Sequence, residues 1–288
     1  MNSNIGKIFL AIAFVLAGSS VVVARYVSGN LQPFTITFMS LVFASITALL
    51  FRGKSIITTA RKLSKRHWVI LFLQAVFGVF LFRVFLTFGL KYTSAIEAGI
   101  VIGTAPAITA ILARFILTSI GVLVLQGFPF NINTFEMNHF LGNLLVIGAA
   151  SSEALFTTLS RKAHIDVNEN YDLHPFVQSG IVSIIALFLC TIPMILESPY
   201  IVLTELPING WIALIWYGSI VTVIAFACMF KGAKHCDGYT IATFTGLIPM
   251  SALILSIFVL KEIITVNKII GCGLIIISII IMSRKGNS

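Results

Sequence analysis

The sequence predicts an all-α polytopic membrane protein of two inverted repeats, each with five transmembrane helices, the helix 4–5 hairpin of the first repeat being truncated. Three observations predict it. Of 288 residues, 58% are hydrophobic and 10% charged, with a mean hydropathy of +1.03; soluble domains carry about 25% charged residues. The apolar residues gather in runs near the ~20 that a helix needs to cross the hydrocarbon. Finally, Trp68–Pro106 is written again as Trp211–Pro249, 143 positions on and without a gap. Trp68 falls on Trp211, Gly89 on Gly232, Lys91 on Lys234, Gly103 on Gly246 and Pro106 on Pro249. Leucine matches are cheap in so apolar a chain, but coincident Trp, Gly, Lys and Pro mark an internal duplication.

Taken in order, span 1 runs from Ile8 to Tyr26 and carries Ser19 and Ser20. Nothing after it resembles a cleavage site, so it reads as a membrane helix rather than a leader. Span 2 covers Pro33 to Phe51, followed by a loop with Arg52, Lys54, Arg61, Lys62, Lys65 and Arg66 and no acid. Lys and Arg collect on the cytoplasmic side, so this loop is read as cytoplasmic. Span 3 runs from Trp68 to Leu90 with Arg83 inside it, and span 4 starts near Ser94 with Glu97 at its outer end. The basic-free piece Gly127–His139 is the expected outer linker between halves. Span 6 covers Phe140–Leu159, with a polar loop at Ala163–Asp172; span 7 is Pro175–Leu196 and span 8 Trp211–Phe230. Span 9 is Gly238–Leu260, with Pro249 inside, and span 10 Val266–Met282. The repeats are expected at 5–127 and 138–285, the first incomplete near 113–118.

Span 5 breaks the pattern. Pro249 to Ser278 is 29 positions, whereas Pro106 to Gly121, its counterpart, is 15. Ser94–Gln126 therefore has too many residues for one crossing and too few for two. Charge decides between readings. With ten crossings and Arg114 in the hairpin turn (Arg114–Thr118), fourteen of the nineteen Lys/Arg face the cytoplasm, and both termini do too. Five spans per half is odd, so the second repeat enters the membrane inverted, which places a binding site near the midplane between halves.

Composition excludes other classes. The net charge of +9 lies at span ends, where it orients helices rather than binding nucleic acid. Cys190, Cys228, Cys236 and Cys272 show no CxxC or metal-ligand spacing and read as small buried residues. No phosphate loop, HExxH or working carboxylate pair is present, so neither an enzyme nor a cofactor is expected.

The paired Gly89-Leu90-Lys91 with Pro106 and Gly232-Ala233-Lys234 with Pro249, the Lys261-Glu262 turn, and the Ala17–Arg25 run (AGSSVVVAR) together resemble the drug/metabolite transporter superfamily of the EamA type. The resemblance spans nearly the whole chain. It implies a multi-pass carrier in the cell (inner) membrane, commonly an exporter of amino acids, metabolites or drugs, acting as monomer or homodimer. Ser40 departs from it, standing where many relatives have an arginine. Locally, Ala149–Arg161 (AASSEALFTTLSR) resembles the first helix of the small multidrug resistance proteins. That likeness assigns to Glu153 the role of binding either a proton or a cationic drug.

The residues support the same candidates. Glu153 lies twelve positions after Leu141, roughly 18 Å into the membrane. A charge there costs ~2.5–3.5 kcal/mol on insertion scales, which makes it a functional candidate by default; the alternative is a glutamate hydrogen-bonded for packing. Trp216, Tyr217 and Thr243 are expected beside it in the substrate site, against the plainer reading of core or lipid-facing packing. Arg25, Arg83 and Glu97 share the outer half of repeat one and form a candidate gate, or else ion pairs and snorkelling side chains. Gly103 with Pro106, and Gly246 with Pro249, are candidate hinges, since proline frees a carbonyl and permits a kink. The function read here is secondary export of small organic solutes, driven by an ion or proton gradient. The alternatives are amino-acid or metabolite export without proton coupling, and a non-transporting paralogue inactivated by the short hairpin.

Overall fold

The computed structural model describes residues 3–103, 137–165, 173–236 and 238–263, with positions 270 and 273. The short hairpin with Pro106 and Arg114–Thr118, most of the outer linker and most of span 10 lie outside the described residues. Within them every regular element is a helix, and six helices are long and apolar enough to cross a membrane.

Helix α1 is Ser3–Ser28 and α2 Pro33–Ala60. Pro33 opens α2 because a first-turn residue needs no N–H partner. The sequence placed the end of this helix at Phe51. It instead continues to Ala60, stepping out of helical geometry only at Arg52 (φ −143°, ψ 25°). Most of the basic loop, Arg52–Arg66, is thus helical, since Ser55–Ala60 supplies no breaker. Helix α3 is Lys65–Gly89, capped by Ser64 accepting from the His67 N–H. Helix α4 is Ala95–Ile102, capped by Ser94 accepting from the Glu97 N–H, and Gly103 ends it. Helix α5 is Met137–Ile165, reaching past Leu159 into the expected loop. Helix α6 is Pro175–Leu196, and a short α7 covers Tyr200–Thr204. Helix α8 is Ile208–Ala233. Span 9 divides into α9, Gly238–Phe244, and α10, Leu247–Leu260. The division falls at Thr245-Gly246, so Pro249 sits in the first turn of α10, where its missing N–H breaks no helical bond.

Among the described residues three stretches are π-helical: Val76–Leu81 in α3, Trp216–Ala225 in α8 and Ser256–Leu260 at the end of α10. Shifted by 143, the first falls inside the second. Gly103 (φ −58°, ψ −15°) and Gly246 (φ −59°, ψ −16°), partners at the same shift, share one backbone conformation.

The helices pair across the two halves. α1 packs on α8 and α10, α5 on α3 and α4, α2 on α6 and α8, α3 on α6, and α4 on α10. In hydrocarbon there is no hydrophobic drive between helices, so close backbone approach and dispersion hold them. Glycines set that approach. A Cβ at Gly89 would lie 2.7 Å from Val146 and 2.9 Å from the Gly142 carbonyl; at Gly232 it would lie 2.6 Å from Leu10 and 3.2 Å from the Gly6 carbonyl. At Gly18 it would meet Ser251 Oγ at 1.9 Å, and at Gly103 the Pro249 ring at 2.7 Å. The outer surface is apolar: Leu50, Phe188, Ile192, Leu196 and Ile208 are each at least 72% exposed.

Two helix N-termini are capped by carboxylates from the other half. Glu197 accepts from the N–H groups of Phe34 and Thr35 and from the Thr35 hydroxyl, at 2.7–3.0 Å. Glu262 accepts from the N–H groups of Ala95 and Ile96 at 2.9 and 3.2 Å.

Candidate functional site

A part-open cavity of about 60 Å³ lies inside the bundle. Its walls come from both halves: Ala13, Ala17 and Ser20 of α1, Gly78 and Arg83 of α3, and Ile102 of α4 face Glu153 and Phe156 of α5, Tyr217 and Val221 of α8, and Ile248 of α10. Most of the lining is apolar, so its few polar groups stand out.

Arg83 is 3% exposed. Its guanidinium stacks over the Tyr217 ring, 3.8 Å from the centroid, and donates to Ser40 Oγ, Thr222 Oγ1 and the Tyr217 carbonyl. The π-helical turn prepares this receptor. Thr222 donates back to the Tyr217 carbonyl, five residues earlier, at 2.8 Å, and wide turns of this kind recur at functional sites. On the facing side, a Cβ at Gly218 would stand 2.0 Å from the Ser40 carbonyl, so α2 and α8 touch backbone to backbone beside the guanidinium. Among the described residues Arg83 has three kinds of partner (hydroxyl, carbonyl and aromatic face) and no carboxylate.

Glu153 lines the same cavity from α5. Among the described residues its Oε2 is buried without a hydrogen-bond partner, and no ion pair joins it to Arg83. The Tyr217 hydroxyl is likewise buried and unpartnered. Phe156, one turn on, stacks on Phe226 at 5.0 Å and covers Gly78, where a Cβ would lie 2.2 Å from its ring. One cavity thus presents a carboxylate, a phenol and a guanidinium on aromatic and aliphatic walls.

The other sequence candidates lie elsewhere. Trp216 is 41% exposed and donates from Nε1 to Ser19 Oγ at 3.1 Å, a tie between α8 and α1. Thr243 is on α9 and does not line the cavity. Arg25, Arg83 and Glu97 reach three different neighbours: Arg25 donates to the Leu90 carbonyl at the end of α3, while Glu97 accepts from Thr93 at 2.8 Å and lies 3.0 Å from His139 Nε2. Gly103 and Pro249 meet each other where α4 crosses α10.

Sequence reasoning passed over a second polar cluster. Gln178 donates to Gln74 Oε1 at 3.1 Å, and both are buried. Gln74 occupies the position 143 before Tyr217; an amide inside an apolar run was the available signal.

Fold and cavity define a class: helical membrane proteins that hold a small polar site inside the bundle, as solute carriers do. The sequence matches the EamA-like transporter family over residues 4–123 and 140–284, and the chain belongs to that family. It is a membrane transporter. Among its relatives are two from Bacillus subtilis (strain 168). The uncharacterized transporter YetK is 31% identical over 270 residues, covering 88% of this chain and 79% of that one. The uncharacterized transporter YyaM is 26% identical over 287 residues, covering 93% and 90%. A solved structure titled "Crystal structure of protein" superposes with a TM-score of 0.62 at 17% identity, covering 98% of each chain, a likeness of fold.

Proposed function

We propose that this transporter is a secondary carrier exporting small organic solutes, which it binds in the central cavity. The observation that carries the reading is that cavity's contents: Glu153 and Arg83 share it, neither neutralises the other, and Glu153 has an oxygen with no partner. A buried carboxyl in hydrocarbon is expensive unless it is used. Glu153 takes either a proton or the cationic group of a solute, and exchange of one for the other couples solute to gradient.

Two inverted repeats, 5–127 and 138–285, supply the mechanics in this reading. Exchanging the halves turns α1–α8 into α5–α3, α1–α9 into α5–α4 and α2–α8 into α6–α3, while α2–α6 maps onto itself. The matching π-helical stretches and the shared conformation of Gly103 and Gly246 support the same exchange. A site between such repeats opens to one side and then the other as the halves rock, with α4 and α10 turning about Gly103, Gly246 and Pro249. The first repeat carries the shortened 4–5 hairpin, and both termini face the cytoplasm.

A second reading follows from Arg83. A guanidinium with no carboxylate of its own suits a solute that brings one, so a zwitterionic amino acid would span Arg83 and Glu153. Uptake into inverted vesicles under an imposed pH gradient, normalised to protein, tests both. Glu153→Gln keeps shape and removes the charge, so gradient-driven transport should vanish while folding survives. Arg83→Gln should abolish transport of zwitterions and spare cations. Normal pH-driven uptake by Glu153→Gln ends the coupled-carrier reading.

A further inference from the structure

At one end of the bundle, the end that carries Arg52 to Arg66, lies a second and larger cavity of about 570 Å³. It shares no lining residue with the central one. Its rim holds Arg52 from α2, Lys231 from α8, Lys234 and His235 just beyond α8, and His174 at the start of α6. Among the described residues no aspartate or glutamate lines it. Its walls include Phe9, Phe51 and Phe176.

We propose that this cavity is a phosphate-binding site in which Arg52 and Lys231 hold the anion. Like charges gathered around one concavity repel one another, and an anion relieves that repulsion at the place where the helix ends converge. Arg52 is the one residue of α2 outside helical geometry, a departure that falls at the cavity rather than at the helix end. Lys231 keeps its stem along the apolar wall, its Nζ 4.1 Å from the Phe9 ring centroid. Beside them Lys234 donates to the Leu173 carbonyl at 3.0 Å. The N-terminus of α6, a helix of 22 residues, adds its positive end. Basic pockets between membrane helices take anionic headgroups, and aromatic walls beneath a cationic rim suit an amphiphile. A phospholipid headgroup and inorganic phosphate present the same chemistry, and two arms of one experiment separate them.

The full chain, purified in neutral detergent, is heated with phosphatidylglycerol against phosphatidylcholine, and with potassium phosphate against potassium chloride at equal ionic strength. A ligand at a hundredfold its Kd should raise the unfolding temperature by about 5 °C. A shift with phosphatidylglycerol alone identifies a lipid site; a shift with phosphate identifies free phosphate. In either case Arg52→Gln with Lys231→Gln should erase the shift, and Lys62→Gln with Lys65→Gln, outside the cavity on the same face, should keep it. No shift in either arm, or a full shift in the Arg52/Lys231 variant, overturns the proposal. Native mass spectra of the unmutated chain give a second readout should that variant fail to fold. Retention of phosphatidylglycerol over phosphatidylcholine supports the site; equal retention without a phosphate shift overturns it.

Discussion

Alanine at Gly89 and alanine at Gly232 are the same substitution at duplicated positions, yet the surroundings give them different costs. Both gain up to ~1 kcal/mol of helix propensity, so that effect cancels in the comparison. At Gly89 the added methyl would stand 2.9 Å from the Gly142 carbonyl and 3.3 Å from the Val146 nitrogen. Backbone cannot step aside, so α3 and α5 must separate by roughly half an ångström along their contact. At Gly232 the nearest atoms are Leu10 Cδ2 and Cγ at 2.6 Å, and the nearest backbone atom is the Gly6 oxygen at 3.2 Å. A leucine side chain can repack. Overpacking costs ~1–3 kcal/mol, with Gly89 at the upper end and Gly232 at the lower. Net of propensity, Gly89→Ala should lose ~2 kcal/mol and Gly232→Ala almost nothing. At ~2–4 °C per kcal/mol for a chain of this size, the first should unfold about 4–8 °C below wild type and the second within about 2 °C of it. Thermal unfolding of both variants in one detergent, followed by tryptophan fluorescence, decides. Leu10→Ala should couple strongly to Gly232→Ala in a double-mutant cycle, and Val146→Ala only weakly to Gly89→Ala, since the carbonyl remains. A Gly89→Ala protein as stable as wild type, or one more stable than Gly232→Ala, refutes the close approach of α3 and α5.

Gly78→Ala drives a methyl into the Phe156 ring, so the cavity wall should shift and half-saturation for transport rise about tenfold (~1.4 kcal/mol); an unchanged value in vesicle uptake counts against the wall. Arg83→Lys keeps the charge but cannot reach Ser40, Thr222 and the Tyr217 carbonyl together. It should lose ~1–3 kcal/mol of stability and transport of carboxylate-bearing solutes, measured by unfolding and by uptake. Glu197→Ala removes three acceptor contacts at the start of α2 and should cost ~1–2 kcal/mol, whereas the exposed Glu205→Ala should leave the unfolding temperature unchanged.

Helix positions were legible because apolar runs and their terminators are local. Pro33, Ser94 and Pro175 mark their helices from within a turn, whereas the start of α3 at Ser64 was read late, at Trp68. Glu153 was legible as a charge too costly to bury idly, Tyr217 as an aromatic wall and Arg83 as part of a gate; all three line the cavity. Depth alone does not tell which side chains meet. Trp216 and Tyr217 are neighbours in sequence, but adjacent residues of a helix point about 100° apart, so one enters the cavity and the other leaves for α1. Arg25 and Glu97 share a level with Arg83 without sharing a helix face. Ser40 was set aside because the resemblance led one to look for an arginine there; it receives one, from α3. The capping glutamates escaped because nothing local links Glu197 to Thr35 or Glu262 to Ala95.

Those two caps constrain the order in which the protein is made. Thr35 waits 162 residues for Glu197, and Ala95 waits 167 for Glu262. At about 5–20 residues per second a ribosome needs roughly 8–33 s to cover such a distance. During that interval the amides of Phe34 and Thr35 at the start of α2, and of Ala95 and Ile96 at the start of α4, lack these acceptors, although Ser94 already caps the Glu97 N–H. The first half therefore leaves the ribosome unfinished, and a fragment released before Glu197 has neither end fastened. Expressed as separate pieces, the two halves should accumulate only when both are present in one membrane.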